Sequence, residues 1–191
     1  MVTQPIIGVV LAGGKSTRMG SVDKAELIFQ EQTLIERAVK RLSSQVSEVL
    51  LSASQSYGLK NTAVTDHFTA QGPLGGVYSA LCHVASTNPN ARAILTVPVD
   101  APFFPTNLAT CLVPEALNGN CPATAITNDG WQPTFSCWPV SVLPKLKEHM
   151  ENGEAGSLKS FLKQQRAVTI SYDDPSMFFN INNIDDFKSL L

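Results

Sequence analysis

The sequence predicts an α/β fold, a three-layer Rossmann-like arrangement built on a mostly parallel sheet. Three observations predict it. PIIGVVL (5–11) and ARAILTVPVD (91–100) are apolar runs rich in β-branched residues, the pattern of strands buried on both faces. Strand-like and helix-like stretches alternate along the chain, which calls for helices packed on the faces of a parallel sheet. The chain has 191 residues, 43% of them hydrophobic, enough for a self-sufficient core in a single domain spanning 1–191.

Each element has its own signal. The first strand covers 5–11 and runs into a loop of small and basic residues. A helix follows from Thr33 to about Leu42. Thr33 is its N-cap, Glu36 stands in capping-box position, and Leu34, Ile35, Ala38, Val39 and Leu42 form one apolar stripe. VSEVLLSAS (46–54) reads as a strand, and TAVT (62–65) as a short strand ending at Asp66. GPLGG (72–76) reads as a turn before a helix over 77–85. The strand over 91–100 stops at Pro98. Residues 107–117 are helical, and Pro114 predicts a break into two pieces; Thr106 suits the N-cap ahead of them. ATAIT (123–127) is a strand, and Asn128-Asp129-Gly130 a hairpin turn that exposes Trp131. Two helical stretches broken at Asn152-Gly153 occupy 141–164. AVTISY (167–172) is the last strand, and a helix closes the chain over 184–191.

Composition excludes several classes of function. Charged residues are 16%, against roughly 25% in an average domain, which argues against a disordered tail or a solvated coiled coil. A net charge of −2 argues against a nucleic-acid-wrapping protein, which needs a basic face. Cys82, Cys111, Cys121 and Cys137 have neither zinc-knuckle nor redox spacing, and read as small hydrophobes in a reducing compartment. The apolar stretch 6–12 is too short for a signal sequence or a membrane span, so the chain reads as soluble and cytoplasmic, with no membrane partner.

In a parallel sheet, ligands bind beyond the carboxyl ends of the strands. That rule selects the loop from Leu11 to Lys24, then Ser52, Asp66 and Asp100. In the loop, Gly13 and Gly14 let backbone N–H groups converge on an anion, and Lys15, Arg18 and Lys24 add cations opposed only by Asp23. Val9 stands where a Walker A loop needs glycine, and the G-x-G-x-x-G dinucleotide fingerprint is absent. Asp100 lies among Pro98, Pro102 and Pro105, a stiff setting for a carboxylate that holds Mg2+ beside a polyphosphate. The glycines of GPLGG permit close approach of a flat group. His67, His83 and His149 read as loop or surface residues, in keeping with chemistry that needs no imidazole.

LAGGKSTRMGSVDK (11–24), GPLGG (72–76), VPVDAPFFP (97–105), QPTFSCWP (132–139) and FFNINN (178–183) occur in this order. With them the sequence resembles the molybdenum cofactor guanylyltransferases, within the wider nucleotidyltransferase fold, over residues 6–190. The resemblance implies transfer of GMP from GTP to the terminal phosphate of molybdenum-bound molybdopterin, with release of pyrophosphate. It implies that Leu11, Ala12, Gly13, Gly14, Lys24, Ser52, Asp66 and Asp100 bind the nucleotide, and that Asp100 also binds the Mg2+ cofactor. It gives Arg18, Lys24 and Asp100 the catalytic roles, and Asn180 and Asn182 the acceptor. Molybdoenzymes or their delivery proteins are the implied partners. The chain departs from the family at Ser52, where relatives carry Asn. It departs again at Asn183-Ile184, where they carry Thr-Pro, and at Ala155-Gly156, where they carry arginines. Those departures keep open a cytidylyltransferase or sugar-phosphate nucleotidyltransferase of the same fold, or a non-catalytic binding relative.

Overall fold

The computed structural model describes residues 5–13, 23–66, 72–152 and 157–188. Seven strands form the central sheet: β1 (Ile6–Leu11), β4 (Glu48–Ser52), β5 (Ala63–Val64), β6 (Ala93–Pro98), β7 (Ala123–Thr127), β8 (Gly130–Pro139) and β9 (Val168–Ser171). Their spatial order is β5-β4-β1-β6-β8-β7-β9. Every pairing is parallel except the two made by β8. A separate two-stranded hairpin, β2 (Ile28–Phe29) with β3 (Gln32–Thr33), precedes the first long helix.

Side-chain alternation on the strands builds two cores. On β1, Val10 faces one side while Ile7, Val9 and Leu11 face the other; on β6, Ala93, Leu95 and Val97 oppose Ile94. The first face is covered by α1 (Leu34–Ser43), α3 (Leu108–Gly119) and α6 (Ile184–Lys188), the second by α2 (Gly72–Thr87), α4 (Leu143–Glu151) and α5 (Leu158–Gln164). That is the expected three-layer arrangement. Gly8 lets α1 lie against the β1 backbone, since a Cβ there would sit 2.7 Å from Leu42. Among the described residues no helix is long and apolar enough to cross a membrane.

The α1 cap forms as its sequence predicts: Thr33 accepts from the Glu36 amide, and Glu36 reaches back to the Thr33 amide at 2.7 Å. Other local expectations are overturned. GPLGG is not a turn before a helix but the first turn of α2 itself. Residues 108–119 form one helix through Pro114, because Leu108, Leu112 and Ala116 hold both halves to the sheet. Thr106 is not its cap. Asn107 occupies that position without a side-chain bond, and the Ala109 amide donates instead to Gln45 on the α1 side, at 3.2 Å.

Strand β8 goes beyond the predicted hairpin turn. Its first five residues are only half-buried and include Pro133, so no apolar run marks it. The turn itself is where the sequence puts it, with Thr127 opposite Gly130. Trp131 is half-buried rather than exposed, packed on the second core with the Lys163 ammonium 5.9 Å from its ring centroid. His149 is buried on α4 against Phe161, not a surface residue; His83 is half-buried on α2, and His67 lies outside the described residues. All four cysteines are free, and burial pushes the Cys137 thiol up to about 12.

Candidate active site

Parallel pairing aligns four strand ends. Leu11 registers with Ser52 on one side and Pro98 on the other, and Ser52 registers with Val64. The backbone continues this pairing past the sheet: Ala12 N–H donates to the Ser52 carbonyl (3.0 Å), Ala53 N–H to that of Val64 (3.1 Å), and Val99 N–H to that of Leu11 (3.1 Å). Leu11, Ala12, Ser52, Asp66 and Asp100 therefore lie along one edge, as the strand-end rule predicts. Gly13, just beyond it, is exposed. Gly14 and Arg18 lie outside the described residues, as do Ala155 and Gly156.

At the centre of this edge the Lys24 ammonium donates to the Asp100 carboxylate at 2.9 Å, with both side chains about four-fifths buried. Lys24 opens a single 3₁₀ turn (Lys24–Glu26) that Ala25 anchors in the core. Asp23 caps the turn, one carboxylate oxygen accepting from the Ala25 amide (3.0 Å) and the other from the Tyr57 hydroxyl (2.9 Å). Burial first, then that carboxylate, pushes the Tyr57 phenol up to about 12.

The loop after Asp100 is held from two sides. Arg41 on α1 donates to the carbonyls of Phe103 (3.1 Å) and Phe104, and Gln45 to that of Pro105 (3.1 Å). Burial, and secondarily nearby Arg37, pull the Arg41 pKa down from its usual value. From the other side the Ile181 amide donates to the Asp100 carbonyl at 2.8 Å. This bond brings the Asn180–Asn182 segment to the same edge, with Asn180 half-buried and Asn182 exposed.

Two glycines of GPLGG, Gly75 and Gly76, make room for this chain's own side chains. A Cβ on Gly75 would lie 2.6 Å from the Asp66 carboxylate, and one on Gly76 would collide with the Ser52 hydroxyl. Ser79, one turn further along α2, donates to Asp66 at 3.3 Å. Ser52 and Asp66 are thereby seated against the first turn of α2.

A family model, the MobA-like NTP transferase domain, matches residues 8–168. The chain belongs to that family. Two named relatives of this MobA-like chain are molybdenum cofactor guanylyltransferases. The one from Pasteurella multocida is 34% identical, covering 95% of this chain and 96% of its own. The one from Sinorhizobium fredii is 34% identical, covering 86% and 77%. Among solved structures, molybdopterin-guanine dinucleotide biosynthesis protein A from Archaeoglobus fulgidus superimposes with a TM-score of 0.77 at 20% identity, over 97% of this chain and 96% of the other.

Asn183 caps the start of α6. Its side chain accepts from the amides of Asp185 (2.8 Å) and Asp186 (2.9 Å), while Asp186 accepts from those of Asn182 (2.7 Å) and Asn183 (3.1 Å). Asn is a favoured residue at a helix start for this reason. Sequence reasoning missed Arg41, Gln45 and Tyr57, whose partners are distant in the chain. Only Tyr57-Gly58 carries a local signal, a turn-forming dipeptide in a Ser-rich loop.

Proposed function

We propose that this chain transfers GMP from GTP to the terminal phosphate of molybdenum-bound molybdopterin, acting as one domain in the cytoplasm. Supporting this is the meeting of Lys24 and Asp100 at the sheet edge, tied through Ile181 to the Asn180–Asn182 segment. Nucleotide-side and acceptor-side segments both contact Asp100, as a transfer between two bound phosphates requires.

An oxygen of the acceptor's terminal phosphate attacks the α-phosphorus of GTP. The bond from that phosphorus to the β-bridging oxygen breaks, and pyrophosphate leaves with the electron pair. The nucleophile is already an anion, so no strong general base is needed. Lys24 leaves Asp100 for the α-phosphate, where its charge offsets the build-up of negative charge in the transition state. Arg18 and the amides of Gly13 and Gly14 hold the leaving pyrophosphate. Ser52 and Asp66 hold the nucleoside, and Asn180 and Asn182 the acceptor.

Asp100 fits Mg2+, which takes one or two protein oxygens and completes its shell with phosphate and water. Among the described residues no group of three His, Cys, Asp or Glu converges, so the donor set is not that of an all-protein metal cage. Bound at Asp100, the ion would offset triphosphate charge. Molybdoenzymes, or the proteins that deliver cofactor to them, receive the product.

The test is an end-point assay with Mg2+ and purified molybdenum-bound molybdopterin, offering GTP or CTP separately. It follows pyrophosphate and identifies the product by mass. A guanine dinucleotide supports the proposal. A cytosine product keeps the mechanism and moves the base assignment. Nucleotide binding without pyrophosphate release from either overturns it.

A further inference from the structure

Tyr57 is held in a conformation that its residue type disfavours. It and Gly58 have φ of 54° and 73°, inside a turn closed by the Leu59 amide on the Ser56 carbonyl at 2.9 Å. Gly or Asn takes such a left-handed position readily, whereas a bulky aromatic is strained there. Strain of this kind persists where the surroundings over-determine it. Here the ring packs against the core and the hydroxyl reaches Asp23 at 2.9 Å.

Asp23 stands next in sequence to Lys24, so its carboxylate is a potential competitor for the ammonium. Each of its oxygens accepts one hydrogen bond, from the Ala25 amide and from the Tyr57 hydroxyl, and the two bonds fix the carboxylate's orientation. Lys24 is left to face Asp100. Removing the Tyr57 hydroxyl frees the Asp23 carboxylate to turn toward Lys24 and loosens the cap of the turn on which Lys24 rides.

We propose that Tyr57 is a positioning residue for the transfer reaction: by holding Asp23 it directs the Lys24 ammonium toward the reacting phosphate. This rests on the activity proposed above. Among the described residues no hydrogen bond joins Tyr57 to Lys24 or Asp100. It acts through Asp23, from a loop 34 positions away in sequence.

Tyr57→Phe keeps the ring and the backbone and deletes only the donor. Two measurements test it. In pyrophosphate-release kinetics with GTP and molybdenum-bound molybdopterin, Tyr57→Phe should lower kcat about tenfold and leave the KM for GTP within about twofold, the pattern of an interaction made in the transition state. In the Asp23→Asn background the same change should cost less than about threefold, because the competing charge is gone. In hydrogen exchange of the unliganded protein, the Ala25 amide should exchange about tenfold faster in Tyr57→Phe while the melting temperature stays within about 2 °C. An unchanged kcat in an active enzyme, an equal cost in both backgrounds, or unchanged Ala25 exchange overturns the proposal. An inactive wild type overturns the proposed activity instead, and Ala25 exchange then decides the Asp23 link alone.

Discussion

Ser52 occupies the space that a side chain on Gly76 would need. Only the hydroxyl is in the way, because the Ser52 Cβ would stand 3.5 Å from a Cβ at 76, an ordinary contact. Gly76→Ala should therefore destabilise the protein by about 1–2 kcal/mol, although alanine favours helix over glycine. It should also weaken GTP binding in calorimetry. Ser52→Ala combined with Gly76→Ala should recover the stability but not the affinity. Equal melting temperatures for wild type and Gly76→Ala would show that the hydroxyl moves aside freely.

The Lys24–Asp100 pair predicts both a catalytic and a structural loss. Asp100→Ala should abolish pyrophosphate release, and Lys24→Ala should lower kcat by about 10²- to 10³-fold, the usual loss when a donor to a charged transition state is removed. Each single change leaves a mostly buried charge without its partner and should cost about 1–2 kcal/mol, between the values for exposed and fully buried pairs. Wild-type turnover in either folded variant would remove these residues from the mechanism.

The β2–β3 hairpin closes on Gln30 and Glu31, both at positive φ (47° and 65°). A two-residue turn of this kind favours Asn-Gly. Replacing the pair with Asn-Gly should stabilise the fold by about 1 kcal/mol, raising the melting temperature by roughly 2–4 °C for a chain this size. A lower melting temperature would mean that the native side chains make up for the strain.

Inside the sheet, the Trp138 indole N–H donates to Thr96 at 3.1 Å, and Thr96 donates to the Ser136 carbonyl at 3.1 Å. Thr96 and Trp138 are fully buried. Thr96→Val conserves shape but strands the indole donor, so it should cost about 1–3 kcal/mol in urea unfolding. Loss of less than about 0.5 kcal/mol would show that the indole finds another acceptor.

The parts of this fold that are legible in the sequence are those whose neighbours are everywhere apolar. β1 and β6 are buried on both faces and read as continuous hydrophobic runs. β8 crosses from half-exposed edge to buried core and carries proline, so periodicity misses it. The site divides the same way. Strand ends locate Leu11, Ser52, Asp66 and Asp100, because in a parallel sheet chain direction alone decides which edge they share. The links from Tyr57 to Asp23, from Arg41 to Phe103 and from Lys24 to Asp100 span 34, 62 and 76 positions. Contacts that long leave no pattern in any local window. GPLGG shows a further limit: its glycines are visible, but the side chains they make room for are not.

The bond from Ile181 to Asp100 also bears on how the protein is made. A ribosome delivers the chain from its N-terminus, so Leu11, Ser52, Asp66 and Asp100 all exist, and their strands can pair, before residue 181 is synthesised. The Asp100 carbonyl receives this partner only once residue 181 has been made. A nascent or prematurely terminated chain would carry the residues assigned to the nucleotide without the segment assigned to the acceptor. Completion of this edge thus waits for residue 181, well after the strands that carry Leu11, Ser52, Asp66 and Asp100 are made.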